Sequence, residues 1–147
     1  MIFTTHTIAT IGVGKLLGIK TTRDWFLAFI FGVLVDLDHF KVFRPKYINN
    51  GDWRKFFKGE LPVRSFFQEP IFVFLVIPIS FYLKSPIPMA SWAIHVFLDY
   101  LVEGVKRPFW PLFNLVLREG FLPNYSIYEF LITPLFLLVL FFRWGII

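Results

Sequence analysis

Residues 87–102 read IPMASWAIHVFLDYLV, an apolar run of helical length in which His95 and Asp99 stand four positions apart. Positions i and i+4 share a helix face, so imidazole and carboxylate project from the same side of this segment. Ionisable groups inside an apolar run are expensive and usually functional. The plain alternative is a histidine–aspartate hydrogen bond acting as glue between helices.

Four more apolar runs flank this one: Ile2–Ile19, Trp25–Phe40, Ile71–Leu83 and Ile127–Phe142. Lys20–Asp24 forms a tight connection with Thr22 or Asp24 as a helix cap, and Pro78 is placed to kink the third run. Two longer segments, 41–68 and 103–124, are basic, aromatic or proline-bearing. The chain is 56% hydrophobic and 17% charged, with a mean hydropathy of +0.65. A soluble domain is about half apolar and a quarter charged, so this balance points to a membrane protein, and the five apolar runs read as its helices, an all-α fold. The expected architecture is a polytopic membrane helical bundle of about five spans with interfacial loop segments, all one domain over residues 1–147. Its expected place is the inner or plasma membrane, as a multi-pass protein. The runs are short for spans, because a bilayer core asks for about 20 helical residues. Half-buried helices of a soluble protein are the competing reading. The chain has no cysteine, which removes disulfides, thiolate ligands and cysteine nucleophiles. No basic stretch precedes the first apolar run and no small-residue cleavage site follows it, so it does not read as a secretory signal.

In an up-and-down bundle, the start of odd runs and the end of even runs face the same side. His6 opens the first run, Asp36, Asp38 and His39 close the second, Glu69 begins the third, and His95 and Asp99 lie late in the fourth. All therefore fall at one end. That end also carries ten of the fifteen basic residues, a bias that suits a cytoplasmic face and makes nucleic acid an unnecessary partner for the net charge of +5.

Asp36 and His39 are spaced i,i+3, again on one helix face. Carboxylates and imidazoles projecting inward from facing helices are how bundles hold metal ions. The expected ligands are His6, Asp36, His39, His95 and Asp99. The donor types suit a divalent ion, zinc or manganese, with one or two ions per site. Each residue has a plainer role open to it: His6 as a hydrogen-bonding helix start, Asp36 and Asp38 as a polar helix end, Glu69 as a helix N-terminal charge.

Val35-Asp36-Leu37-Asp38-His39 and His95-Val96-Phe97-Leu98-Asp99 resemble the Asp-x-Asp-His and His-x-x-x-Asp motifs of the LexA-regulated, YdjM-like inner-membrane metal-dependent hydrolases. His6 with Gly12 and Gly14, and Pro108-Phe109-Trp110-Pro111, are similar to further parts of that pattern, so the likeness spans residues 6–111 in islands. A looser similarity extends to zinc-dependent phospholipases C. The family's Arg-Gly-x-x-His-Ser motif is answered here by Arg64-Ser65-Phe66-Phe67-Gln68-Glu69-Pro70, which lacks the histidine. Glu69 is the expected replacement ligand, a change that favours a harder ion such as manganese.

The resemblance implies hydrolysis of a phosphoester, and a site at head-group depth points to a lipid or isoprenoid phosphoester. Asp38 or Glu69 is the expected general base, and Arg64, or Lys106 with Arg107, the expected phosphate clamp. Trp53-Arg54-Lys55-Phe56-Phe57-Lys58 suits a head-group interface, making membrane lipid a partner. A homo-oligomer is compatible with the sequence. The competing classes are a non-catalytic protein with a structural metal or His–Asp site, alone or as a subunit of a larger complex in the cell membrane, and a small transporter.

Overall fold

The computed structural model describes residues 3–37, 66–102, 104–120 and 133–145. Asp38, His39, Arg64, the basic segment 41–65 and the start of the fifth apolar run lie outside the described residues.

Helix α1 (Phe3–Leu16) ends in a hydrogen-bonded cap at Gly18. Ile19 N donates to Gly14 O and Gly18 N to Lys15 O, the paired bonds that close a helix through one left-handed residue, here Gly18 at φ +66°. Helix α2 (Thr22–Gly32) begins ahead of both caps expected from the sequence, Thr22 and Asp24. Thr21 is the N-cap, its hydroxyl accepting from Asp24 N at 3.1 Å, and Asp24 places its charge at the positive helix end. After Gly32 the chain tightens into a 3-10 turn over 34–37 that carries Asp36.

Two 3-10 turns, Phe66–Gln68 and Pro70–Phe72, lead into helix α3 (Val73–Tyr82), which contains Pro78. Helix α4 (Ile87–Leu101) is the hub: α1, α2 and α3 all pack against it. Its buried face includes Trp92, Val96 and Leu98 together with Ser91, His95 and Asp99. The apolar part of that face holds the core. Phe72, Val76, Trp92 and Val96 form one cluster and Ala9, Leu98 and Val102 another. Each large apolar side chain buried here contributes about 1.5–3 kcal/mol. Helix α5 (Thr133–Arg143) packs on α1.

The expected membrane bundle is overturned. Among the described residues no helix is long and apolar enough to cross a membrane. The longest, α4, has 15 residues, about 22 Å at 1.5 Å per residue against a hydrocarbon core of about 30 Å. The apolar runs look longer in sequence than the helices they form, because the cap at Gly18, the turn after Gly32 and the 3-10 turn ahead of Val73 cut them short. The five-span architecture, the transmembrane and multi-pass character, and the inner-membrane placement built on it fall together. The all-α expectation holds for the helices, with one small addition. The 103–124 segment contains an antiparallel ribbon, β1 (Gly104–Lys106) with β2 (Leu117–Glu119), pairing Val105 with Arg118. Much of the apolar excess stays outside, on residues such as Phe74, Phe81, Leu135 and Phe142.

Candidate metal centre

Helix packing brings the N-terminal end of α1, the turn after α2 and the later half of α4 to one end of the bundle. His6, Asp36, His95 and Asp99 meet there, with relative exposures of 1%, 7%, 0% and 0%. Each offers one ligand atom, and the four atoms lie within 4.8 Å of one another. This buried group can hold a metal ion.

The contacts form a closed circuit in which histidine and aspartate alternate. His6 Nε2 lies 3.1 Å from Asp99 Oδ1 and 3.4 Å from Asp36 Oδ2. His95 Nε2 lies 3.4 Å from Asp36 Oδ1 and 3.7 Å from Asp99 Oδ2. The two imidazoles stack face to face, centroids 3.9 Å apart and 20° from parallel. A proton on His6 Nε2 makes its contact with Asp99 a hydrogen bond, and a metal ion would take that proton's place.

His95 is held differently. Its Nδ1 lies 2.9 Å from Gly32 O, and a carbonyl only accepts, so Nδ1 carries the proton. Burial, aided by the charge of His6, pushes the His95 pKa below its ordinary value against the opposing pull of Asp99, Asp36 and the Gly32 hydrogen bond. Burial thus favours the neutral ring, in which the lone pair on Nε2 faces the carboxylates. That nitrogen is buried without a hydrogen-bond partner. Acceptors facing acceptors in a dry interior are repulsive unless a cation stands between them.

A supporting layer surrounds the four. Gln68, fully buried, donates from Nε2 to Asp36 Oδ1 at 2.8 Å and reaches Val35 O at 3.4 Å. Trp92 Nε1 donates to Phe67 O at 2.8 Å, which fixes the 3-10 turn carrying Gln68 against α4. Gln68 escaped the sequence reading, which favoured its charged neighbour. The signal was present: counting the Arg-Gly-x-x-His spacing from Arg64 reaches residue 68, not 69.

Glu69 points elsewhere. Its carboxylate accepts from Tyr100 Oη at 2.8 Å and from Arg107 N at 3.1 Å, tying the α3 entry to the end of α4 and the ribbon. It is not among the four converging donors. Lys106 is buried, donates to Tyr100 O at 2.8 Å and lies 5.0 Å from the Tyr100 ring centroid. Both residues thus brace the scaffold behind Asp99.

The chain matches no family model, no curated protein and no solved structure. The chemistry of the centre has to be argued from its own atoms.

Proposed function

We propose that this protein is a metal-dependent hydrolase of phosphoesters, with one divalent ion held by His6, Asp36, His95 and Asp99. The observation that carries the proposal is the buried, unpartnered Nε2 of His95 facing two carboxylates. Zinc is the favoured ion. Two imidazole nitrogens and two carboxylate oxygens are donors that zinc takes in four-coordinate sites, and one such atom from each residue lies within 4.8 Å of the others. The case for manganese rested on Glu69 as a ligand, and Glu69 is engaged by Tyr100 and Arg107.

A divalent ion here would supply Lewis acidity, polarising a phosphoryl oxygen and bringing the pKa of water near neutrality. The chain's own residues do the rest. Gly32 sets the His95 tautomer and Gln68 orients Asp36. The thiol-free set of imidazole and carboxylate is of the kind found in hydrolytic zinc sites, whereas structural sites are rich in cysteine. The likeness of Asp36–His39 and His95–Asp99 to the YdjM-like hydrolase motifs supports the same reading.

One observation favours a second reading, a structural metal: four protein ligands already complete a tetrahedron, and all four are buried. Metal analysis of the purified protein beside His95→Ala and Asp36→Ala separates the outcomes. One ion per chain, lost in both variants, with turnover of a phosphoester, is the expected result. A metal-free wild type sinks the proposal. Bound metal without turnover on any phosphoester leaves the structural site.

A further inference from the structure

The loop joining β1 to β2 turns its most apolar residues towards solvent. Between Arg107 and Arg118 the chain reads PFWPLFNLVL, ten residues without a charge. Phe109, Trp110, Leu112, Phe113, Leu115 and Val116 are all exposed, Leu112 and Phe113 to 71% and 68%. An exposed apolar surface of this kind marks contact with a protein or a membrane. We infer that this tip inserts into the surface of an anionic lipid bilayer, with Arg107 at the depth of the lipid phosphates. The inference does not rest on the hydrolase reading, and insertion of a tip asks no helix to cross the bilayer.

Preorganisation is the first argument. Trp110 N donates to Arg107 O and Phe113 N to Phe109 O, both at 3.0 Å, and the Phe109 and Phe113 rings meet edge to face at 6.5 Å. The tip therefore holds its shape through its own bonds while its side chains stay outside. Its root is fixed to the bundle. Pro108 O accepts from Ile71 N at 3.3 Å, Arg107 N donates to Glu69 Oε1, and Lys106 Nζ donates to Tyr100 O. Those bonds join the brace behind Asp99, so the loop is rooted at the end of the bundle that carries the four donors.

Charge is the second argument. Arg107 is half-buried, its Nε is buried without a hydrogen-bond partner, and its backbone, not its guanidinium, answers Glu69. A guanidinium left in that state favours an anion, and its fork matches phosphate oxygens. No acidic residue stands between Arg107 and Arg118, and the whole chain carries a net charge of +5. An anionic bilayer attracts such a surface. Order is the third argument. Half-buried Arg107, then Trp110, then the most exposed pair Leu112 and Phe113 follow one another from root to tip. Cations at the phosphates, tryptophan at the head-group interface and purely apolar groups beneath it is the depth order of a bilayer surface. A protein partner would need a cleft shaped to this tip, whereas a bilayer takes one without a matching shape.

The test sediments the full chain with vesicles of phosphatidylcholine alone and of phosphatidylcholine mixed with phosphatidylglycerol. Binding should favour the mixed vesicles and weaken as salt is added. Leu112→Ser with Phe113→Ser should lower binding at least about tenfold. That double variant should keep the wild-type urea midpoint, because neither side chain is buried. Arg107→Gln should lower binding to the mixed vesicles about fivefold. No binding to the mixed vesicles, equal binding to both kinds, or wild-type binding by the double variant overturns the inference. So does a chain that self-associates without lipid and becomes monomeric in the double variant, which would assign the tip to a second copy.

Discussion

His95 donates Nδ1–H to the carbonyl oxygen of Gly32 at 2.9 Å, and Gly32 is also the point where Thr10 of α1 presses against α2. One backbone unit therefore fixes the imidazole tautomer on α4 and the spacing of the two helices that carry His6 and Asp36. A Cβ at Gly32 would collide with the Thr10 side chain. Gly32→Ala is expected to lower stability by about 1–3 kcal/mol, the usual cost of overpacking. Because the carbonyl must move as α1 is pushed away, zinc affinity should fall by about tenfold or more, the effect seen when a partner orienting a metal-bound histidine is disturbed. Urea unfolding and a competitive zinc titration read the two effects. Lost stability with unchanged zinc affinity would show that Gly32 O does not orient His95.

Gln68 offers a cleaner separation of packing from ligand orientation. Its amide donates to Asp36 Oδ1 at 2.8 Å, so Gln68→Leu keeps the volume but leaves that oxygen to find another donor. Zinc affinity is expected to drop by about 10–100-fold. Gln68→Glu should be worse in the metal-free protein, since it sets a second carboxylate beside Asp36 in a buried site. The same titration, run on both variants, would count against the orienting role if Gln68→Leu bound zinc as wild type does.

The pH dependence of the metal-stripped protein follows from His95. Burial first, and the charge of His6 second, lower its pKa below 6.5, with Asp99, Asp36 and Gly32 pulling the other way. As pH falls, the unfolded chain takes up a proton on this residue at its ordinary value while the folded chain resists it. The unfolded state then binds more protons, and stability declines. The contribution is complete above the unfolded value and is lost progressively as pH drops through it towards the folded value. The slope can reach about 1.4 kcal/mol per pH unit for one proton. Denaturant melts at pH 7.5 and about pH 5.5 should show the loss, reduced in His95→Gln, with both values set on either side of the ordinary histidine range. Stability that rises towards the lower pH would mean that His95 is protonated in the native chain.

The convergence of His6, Asp36, His95 and Asp99 was legible in the sequence because parity along an up-and-down bundle does not depend on what surrounds it. The membrane was not needed for that step, and adding it was the error. Hydropathy ended the third run at Leu83, just ahead of the turn at Lys84, but did not register the stops that fall inside runs, at the left-handed Gly18 and after Gly32. The ribbon between Gly104 and Glu119 is three residues long on each strand, too short for alternation to declare it. Charge misled the choice between Gln68 and Glu69. A carboxylate looks like a ligand in any sequence, yet two hydrogen bonds to Tyr100 and Arg107 claim it for the scaffold, and the neutral amide beside it faces the centre.

Lys84 gives a test of the fold that leaves the centre untouched. At φ +51° it occupies the left-handed position after α3, with Lys84 N donating to Phe81 O and Ser85 N to Ser80 O. These are the same paired bonds that close α1 at Gly18, but built on a residue with a Cβ. A left-handed conformation costs an ordinary side chain about 1–2 kcal/mol, and glycine escapes that cost while losing more backbone entropy on folding. The balance favours glycine at this position, so Lys84→Gly should raise stability by about 0.5–1 kcal/mol. The converse change, Gly18→Lys, should lower it by a similar amount, because Gly18 sits at φ +66° with open space around it and only the backbone term changes. Zinc affinity should be unaltered in both variants, since each lies at the end of the bundle remote from His95. Equal stability of wild type and Lys84→Gly would mean that this turn is not left-handed in the folded chain.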